Sequence, residues 1–390
     1  MNMTVRISHQ LLWGICIATT AMTAQAQYSY AELDVYAPSV DSSLSLRPCV
    51  LGEPTTMNAT GDAMGTATVR SGTVFDWSKL RIVPAYKSVV LKWPGTASGL
   101  VKPVVVSTTV SPLFMNNQGS WAGYIHNKIN QTRCQTGMGE YQTDKPAVQI
   151  GTTVTRLIYG PNGINFEVRG INNKNWVLGT ALDVVGNRKG LVWKAGTFTE
   201  LESGGAQLVF PAGINDNGDV AGYVMPSSDP EKREMHAALW VGNKLVWQGP
   251  AHSKALAINA LGDVLWKQMD ADGARIATIY LRAGGVDTPV PMSGALSSRR
   301  TLIGSAQQYP DYPAGRLAVW AAGNLTWLLD DMRLQGVTLP CGPLSTNDYC
   351  DRSTLIEQTE TEGRKLLVSR TGVSTPRPSG QRYYRINGLP

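Results

Sequence analysis

The sequence predicts an all-β fold, a β-propeller of about seven four-stranded blades, with six as the alternative count. Three observations carry this. A motif recurs at intervals of 43 to 58 residues, short apolar runs alternate with Asn, Asp and Gly, and 40 glycines and 22 prolines occur without a collagen period. Periods of that length mark repeat arrays, and turn-punctuated apolar runs mark antiparallel hairpins.

The motif reads MNATGDAMG at 57–65, MNNQGSWAG at 115–123, INNKNWVLG at 171–179, INDNGDVAG at 214–222 and INALGDVLW at 258–266. LSSRRTLIG at 296–304 is a degraded copy and YCDRSTLIE at 349–357 a seventh. The motif asparagines Asn58, Asn116, Asn172, Asn215 and Asn259 are 58, 56, 43 and 44 residues apart. A second run follows each motif: SVVLKWPG (88–95), KGLVWKAG (189–196), HAALWVGN (236–243), ATIYLRAG (277–284) and LAVWAAGN (317–324). A third comes close behind, as TFTELE (197–202), KLVWQG (244–249) and NLTWLLDD (324–331).

The fourth repeat parses most clearly. One strand ends at Ile214, and Asn217-Gly218 supplies the positive φ values of a primed turn. A second strand covers Val220 to Val224, HAALWV forms the third, Gly242-Asn243 turns the chain, and KLVWQ forms the fourth. Four antiparallel strands in about 40–45 residues make one propeller blade. At the N-terminus, YAELDVY (30–36) resembles the fourth-strand segment TELES, while the seventh repeat runs out after KLLVSR (365–370). The N-terminal strand is therefore expected to complete the last blade and close the ring, pairing two otherwise exposed edges.

The turn GINDNGDVAGY (213–223) crowds Asn215, Asp216, Asn217 and Asp219 around Gly218 in the manner of a calcium loop. Calcium needs six or more converging oxygens, yet the copies place Ala59, Leu261 and Arg299 in the turn. The turn reads as architecture, and no metal or cofactor is expected. Trp93, Trp193, Trp240 and Trp320 share one register with Tyr280, as packing between blades requires.

The pairing INDNGDVAG…HAALWVGN resembles the HAF-type extracellular repeat, a bacterial exported repeat named for a His-Ala-Phe at the start of its third strand. Here His236-Ala237-Ala238 matches two of those letters, and the other copies lack the His. The resemblance covers nearly the whole mature chain. It implies an exported propeller-like protein and offers no catalytic residues to carry over.

Residues 1–26 read as a signal peptide: Arg6 in a polar start, an apolar run from Leu11 to Ala21, and Ala24-Gln25-Ala26 as the cleavage site. The run is too short to span a bilayer, and no later stretch supplies a transmembrane helix. A periplasmic or secreted location follows, with the propeller over 27–373 and a short basic tail over 374–390. Loss of Arg6 lowers the net charge from +6 to +5, with the basic residues scattered except for Arg370, Arg377, Arg382 and Arg385. No basic groove interleaved with aromatics is present, so nucleic acid is not an expected partner. The mature cysteines Cys49, Cys134, Cys341 and Cys350 suit two disulfides in an oxidising compartment, with three connectivities open. The local pair Cys341–Cys350 leaves Cys49–Cys134.

No G-x-S-x-G, H-E-x-x-H or P-loop signature occurs. Among the histidines, His236 sits at a repeat position suited to hydrogen bonding, while His126 and His252 lie in connectors. Asp270 and Asp272 fall in a hairpin turn, and Asp330-Asp331 at a strand end. No catalytic residue is assigned. Length varies instead between the second and third strands and between blades, which strand alternation puts on one face. The long loops there are 125–145, 225–234 and 306–316. Loops on a rigid scaffold commonly carry recognition, so the candidate binding residues are Tyr141, Lys232, Arg233, Tyr309, Asp311 and Tyr312. The expected function is a non-catalytic recognition or scaffold module for a protein or polysaccharide. A propeller glycan hydrolase or lyase is the alternative, and a purely structural surface protein the second.

Overall fold

The computed structural model describes residues 29–34, 50–76, 80–96, 98–106, 108–125, 145–159, 164–229, 234–270, 275–305, 317–334, 352–358, 366–371 and 381–387. The first strand among the described residues is β1 (Ser29–Leu33). Next, β2 (Val50–Met57), β3 (Ala63–Asp76) and β4 (Arg81–Trp93) form a sheet completed by β6 (Val104–Val106), while β5 (Gly99–Val101) runs parallel to β1. The second sheet holds β7 (Val110–Met115), β8 (Trp121–Ile125), β9 (Lys145–Ile150) and β10 (Thr153–Arg156). A ribbon of β11 (Ile158–Tyr159) and β12 (Ile164–Asn165) follows.

An eight-stranded sheet then spans two sequence repeats. Its first part is β13 (Glu167–Ile171), β14 (Val177–Leu182), β15 (Arg188–Lys194) and β16 (Thr197–Glu200). Its second part is β17 (Leu208–Ile214), β18 (Val220–Met225), β19 (His236–Val241) and β20 (Lys244–Ala251), joined to the first by the parallel bridge Arg188–Leu208. β21 (Ser253–Ile258), β22 (Val264–Met269), β23 (Ile276–Ala283) and β24 (Val286–Val290) form the next sheet. β25 (Ala295–Leu296), β26 (Leu302–Ser305), β27 (Leu317–Ala321) and β28 (Asn324–Trp327) form another, followed by helix α1 (Leu328–Leu334). β29 (Arg352–Gln358), β30 (Leu366–Thr371) and β31 (Gln381–Asn387) end the chain in a sheet ordered β29-β30-β31-β1-β5.

This is an all-β chain in a β-propeller arrangement. The first strands of the repeats touch in chain order, β2 with β7, β7 with β13, β13 with β17, β17 with β21 and β21 with β25. β29 packs against β2. Aromatic and aliphatic side chains fill the wedges between sheets. Trp93 and Trp240 are fully buried, and Trp193 packs with Val177, Leu191 and Phe166. Trp93, Trp193 and Trp240 are thus core residues and Trp320 is partly buried, but Tyr280 does not share their register: Arg282 pairs Val264 where Trp240 pairs Val220, and Tyr280 pairs Trp266.

Several expectations are corrected. Seven separate blades do not form: five sheets of four or five strands stand apart, and the eight-stranded sheet merges two repeats. The tail assigned to 374–390 contains β31, which pairs with β30 on one side and β1 on the other. Within this basic segment Tyr384 and Ile386 are fully buried beside Ile303, Leu317 and Val319. Asp330 and Asp331 lie in the first turn of α1 rather than at a strand end, where carboxylates suit the helix N-terminus. β3 and β4 are 14 and 13 residues long. Their hairpin carries exposed Phe75, Leu80 and Ile82.

The turn chemistry also differs from a primed hairpin. One residue per turn is left-handed, three positions after the Asn: Gly61, Gly119, Asn175, Gly218, Gly262 and, in the degraded copy, Arg300. Gly218 N donates to Asn215 O at 3.1 Å, and Asn215 N to Asp219 O at 3.0 Å. This is a tight turn closed by one left-handed residue, selected because the Asn side chain bonds ahead along its own backbone.

Candidate functional site

The motif asparagines are buried, each no more than 6% exposed, and from Asn116 to Asn259 each carboxamide works in two directions. The oxygen accepts from its own turn: Asn172 Oδ1 from Lys174 N and Trp176 N, both at 3.0 Å, and Asn259 Oδ1 from Leu261 N at 3.0 Å and Asp263 N at 2.9 Å. The nitrogen donates to the next repeat: Asn116 Nδ2 to Asn172 O (2.9 Å), Asn172 Nδ2 to Asn215 O (2.9 Å), Asn215 Nδ2 to Asn259 O (3.1 Å), and Asn259 Nδ2 to Ser297 O (2.9 Å). Asp216, one of the calcium-like oxygens, accepts from Asn173 N and Nδ2 at 2.8 and 2.7 Å. The turns form a continuous ladder that fixes one end of the first strands.

The opposite end of those strands holds the candidate site. The five first strands that lead into a motif Asn, β2, β7, β13, β17 and β21, each carry a β-bulge whose extra residue lies three positions before it, and bulges re-aim side chains. In β13 the bulged residue is Arg169, whose Nη2 meets Glu167 Oε1 at 2.6 Å. Arg188, at the start of β15, reaches Glu167 Oε2 and Thr180 Oγ1, both at 2.9 Å. Glu167 thus serves two guanidinium groups.

Arg188 also lies over the ring of Phe210, 5.2 Å from its centroid. Phe210 and Tyr223 are cross-strand partners on β17 and β18, stacked at 4.7 Å with a 10° interplanar angle. Lys254 Nζ, from β21, sits 4.5 Å from the Tyr223 centroid. The result is a column of guanidinium, two rings and ammonium drawn from three repeats. Directly across the ladder from Lys254 is Lys267, a like-charge pairing that disfavours the fold. Among the described residues, Arg169, Arg188, Lys254 and Lys267 are set against the single carboxylate of Glu167, an excess of three positive charges.

The electrostatics follow. Burial, aided by the charge of Lys267, lowers the Lys254 pKa. Burial raises that of Tyr223, against the opposing influence of Arg169 and Arg188. Both rings have their faces covered, by each other and by the two cations, so the column presents ring edges and cationic heads. Such an array can hold anions.

A shallow depression of about 410 Å³ lies at the outer rim, lined by Lys189, Glu200, Glu202, Asn243 and Lys244 among others. Its carboxylates are engaged: Glu202 Oε2 accepts from Leu245 N at 3.1 Å, and Glu200 Oε1 accepts from Tyr159 Oη at 2.5 Å. Burial, with the bond to and charge of Glu200, pushes the Tyr159 phenol up to about 12.

Tyr141, Lys232, Arg233, Tyr309, Asp311 and Tyr312 lie outside the described residues, as do Asp272, His126, residues 1–26 and the four mature cysteines. Asp270 caps its hairpin, accepting from Arg275 N at 3.2 Å. Half-buried His236 bonds Gly249 O through Nδ1 at 3.1 Å. Among the described residues no group of three or more His, Cys, Asp or Glu is placed to hold a metal ion. None of the described helices is long and apolar enough to cross a membrane. The cationic column went unread because its members come singly from separate repeats. One signal was available. Five residues before the Asn, the repeats hold Glu53, Ser111, Glu167, Phe210 and Lys254, a position of changing chemistry inside a strand that otherwise repeats.

Fold and site together define an all-β protein of propeller arrangement with a cationic, aromatic cluster at the end of its first strands. No family model and no curated protein matches the chain. Among solved structures it is similar to the β-propeller domain of the trilobed protease from Pyrococcus furiosus, which has an open velcro topology. The identity is 8%, the TM-score 0.48, and coverage is 87% of this chain and 93% of that one. It is also similar to an acylaminoacyl peptidase from Pyrococcus horikoshii (10% identity, TM-score 0.44, 85% and 52% covered). A puromycin-hydrolysing peptidase from Mycobacterium tuberculosis is a third (14% identity, TM-score 0.45, 89% and 56% covered). The match spans about half the length of the last two proteins.

Proposed function

We propose that this chain is an exported, non-catalytic propeller of HAF-type repeats that acts as a recognition or scaffold module for a protein or polysaccharide. In this reading the ring is closed by β1, which serves as the fourth strand of the last sheet. Two pairs of bonds support the closure. Trp240 Nε1 donates to Glu202 O at 2.7 Å between consecutive repeats, and Trp93 Nε1 donates to Asp34 O, just after β1, at 2.8 Å. Glu202 N bonds Asn243 O, and Asp34 N bonds Val101 O, each at 2.9 Å. The N-terminal strand thus meets the first repeat much as the third repeat meets the fourth.

The observation that carries the functional reading is the cationic column. Glu167 is held as a counter-ion by Arg169 and Arg188, an arrangement suited to binding rather than to acid–base work, which asks for two carboxyls of different pKa. The strand ends that flank 125–145, 225–234 and 306–316 lie toward the start of the first strands, opposite the asparagine turns, and in this reading those loops complete the recognition face. Export, cleavage after Ala26 and the disulfides Cys341–Cys350 and Cys49–Cys134 belong to the same proposal. Intact and peptide mass spectrometry of the native protein would check them.

A pulldown from cell envelope and medium with the mature chain as bait tests the function. A specific partner lost on trimming 125–145 supports the recognition face. A glycan shortened over time would put the hydrolase reading first, and the absence of any specific partner would favour the structural one.

A further inference from the structure

We infer that the column of Arg188, Phe210, Tyr223 and Lys254, flanked by Arg169 and Lys267, is a binding site for an acidic polysaccharide carrying carboxylates on successive sugar units. The inference rests on the recognition-module reading above and names the ligand class of its face. Three observations support it. Lys254 and Lys267 face each other across the β21–β22 ladder, and neither has a carboxylate partner among the described residues. An arrangement that costs stability and is kept in one place is the mark of a site. An anion seated between the two ammonium groups turns that repulsion into attraction.

The column is also extended. Its cations come from the third and fifth repeats and are separated by the two stacked rings of the fourth, so one small anion cannot engage both ends, whereas a chain with repeated charges can. The covered ring faces leave no surface for base stacking, on which binding of single-stranded nucleic acid relies. What remains open, the ammonium heads, the ring edges and the Tyr223 phenol, suits carboxylates set among hydroxyl groups.

Affinity of the purified mature chain for polygalacturonate at low salt tests this, with neutral dextran, poly-glutamate and DNA as comparisons. Wild type is expected to bind polygalacturonate and not dextran. The double variant K254Q/K267Q should bind about tenfold or more weakly, with the slope of log affinity against log salt reduced by about one per cation removed. It should also melt no lower than wild type, because the like-charge pair is gone. K254R should retain binding, and K244Q at the outer rim should leave it unchanged.

Equal binding by K254Q/K267Q would overturn the site. Preference for poly-glutamate or DNA over polygalacturonate would overturn the ligand class. If wild type binds none of the polyanions while the pulldown still yields a loop-dependent partner, this inference fails and the recognition reading stands.

Discussion

Arg385 Nη1, on the last strand, donates to the backbone oxygen of Gly61 at 3.0 Å across 324 residues of chain. The same nitrogen reaches Pro94 O at 2.8 Å, and the side chain is 2% exposed. One guanidinium therefore joins the C-terminal strand to two turns of the first repeat.

Replacing Arg385 with Met is expected to strand both carbonyls. A buried acceptor left without a donor costs about 1–3 kcal/mol, so R385M should show a clearly lowered melting temperature by calorimetry. Removing residues 381–390 should do more, taking away the partner of both β30 and β1. Failure to fold is the expected result, and an unchanged melting curve would contradict the placement of β31.

The asparagine ladder predicts a graded response. Asn215→Ala removes the part-buried acceptor for Asp219 N and the buried donor to Asn259 O and should cost about 2–4 kcal/mol in chemical denaturation. Asn217→Ala, which loses only an exposed bond to Ala260 O, should stay within about 0.5 kcal/mol.

Gly218 is left-handed at φ 91°, and a Cβ there would stand 2.4 Å from the Trp176 ring. Gly218→Ala is expected to destabilise by about 2 kcal/mol or more, combining backbone strain with displacement of the indole. Fluorescence of Trp176 should shift with it. Gly186→Ala, also left-handed but with open space around its Cβ, isolates the backbone part and should cost less.

Acid should loosen the seam at the first repeat. Burial tends to raise the Asp62 pKa, but the bond from Lys92, the Gly95 amide and the Lys92 charge outweigh it and hold the carboxyl below its usual 3.8. Lys92 Nζ lies 2.8 Å away. A depressed native pKa gives stability that is present above the unfolded value and lost as pH falls through the native one. Melting temperature should therefore decline below about pH 4, and Asp62→Asn should flatten that part of the profile.

The hairpins of the third to fifth repeats were legible because each run is short, apolar and closed by a turn that recurs. The aromatic register was legible for a similar reason: Trp93, Trp193 and Trp240 meet the same wedge in each copy. β31 was not, since Arg382 and Arg385 look like a solvated end until Arg385 is seen capping carbonyls from the other terminus. Nor was the turn type, because Asn217-Gly218 fits two hairpin classes and the carboxamide of Asn215 decides between them. The cationic column lay beyond reach for a geometric reason. Arg188, Phe210, Tyr223 and Lys254 converge only when three repeats are stacked.

The ladder has a direction. Every rung from Asn116 to Asn259 gives its hydrogen to the following repeat, and the carbonyls of Asn172, Asn215 and Asn259 each receive one from the preceding repeat. Plug and socket therefore reside in a single residue, so a duplicated repeat arrives with both and can be spliced between any two neighbours without designing a new joint. An array wired in this way can gain members by copying alone, and its lineage is free to alter the far end of each strand, where the chemistry differs from repeat to repeat.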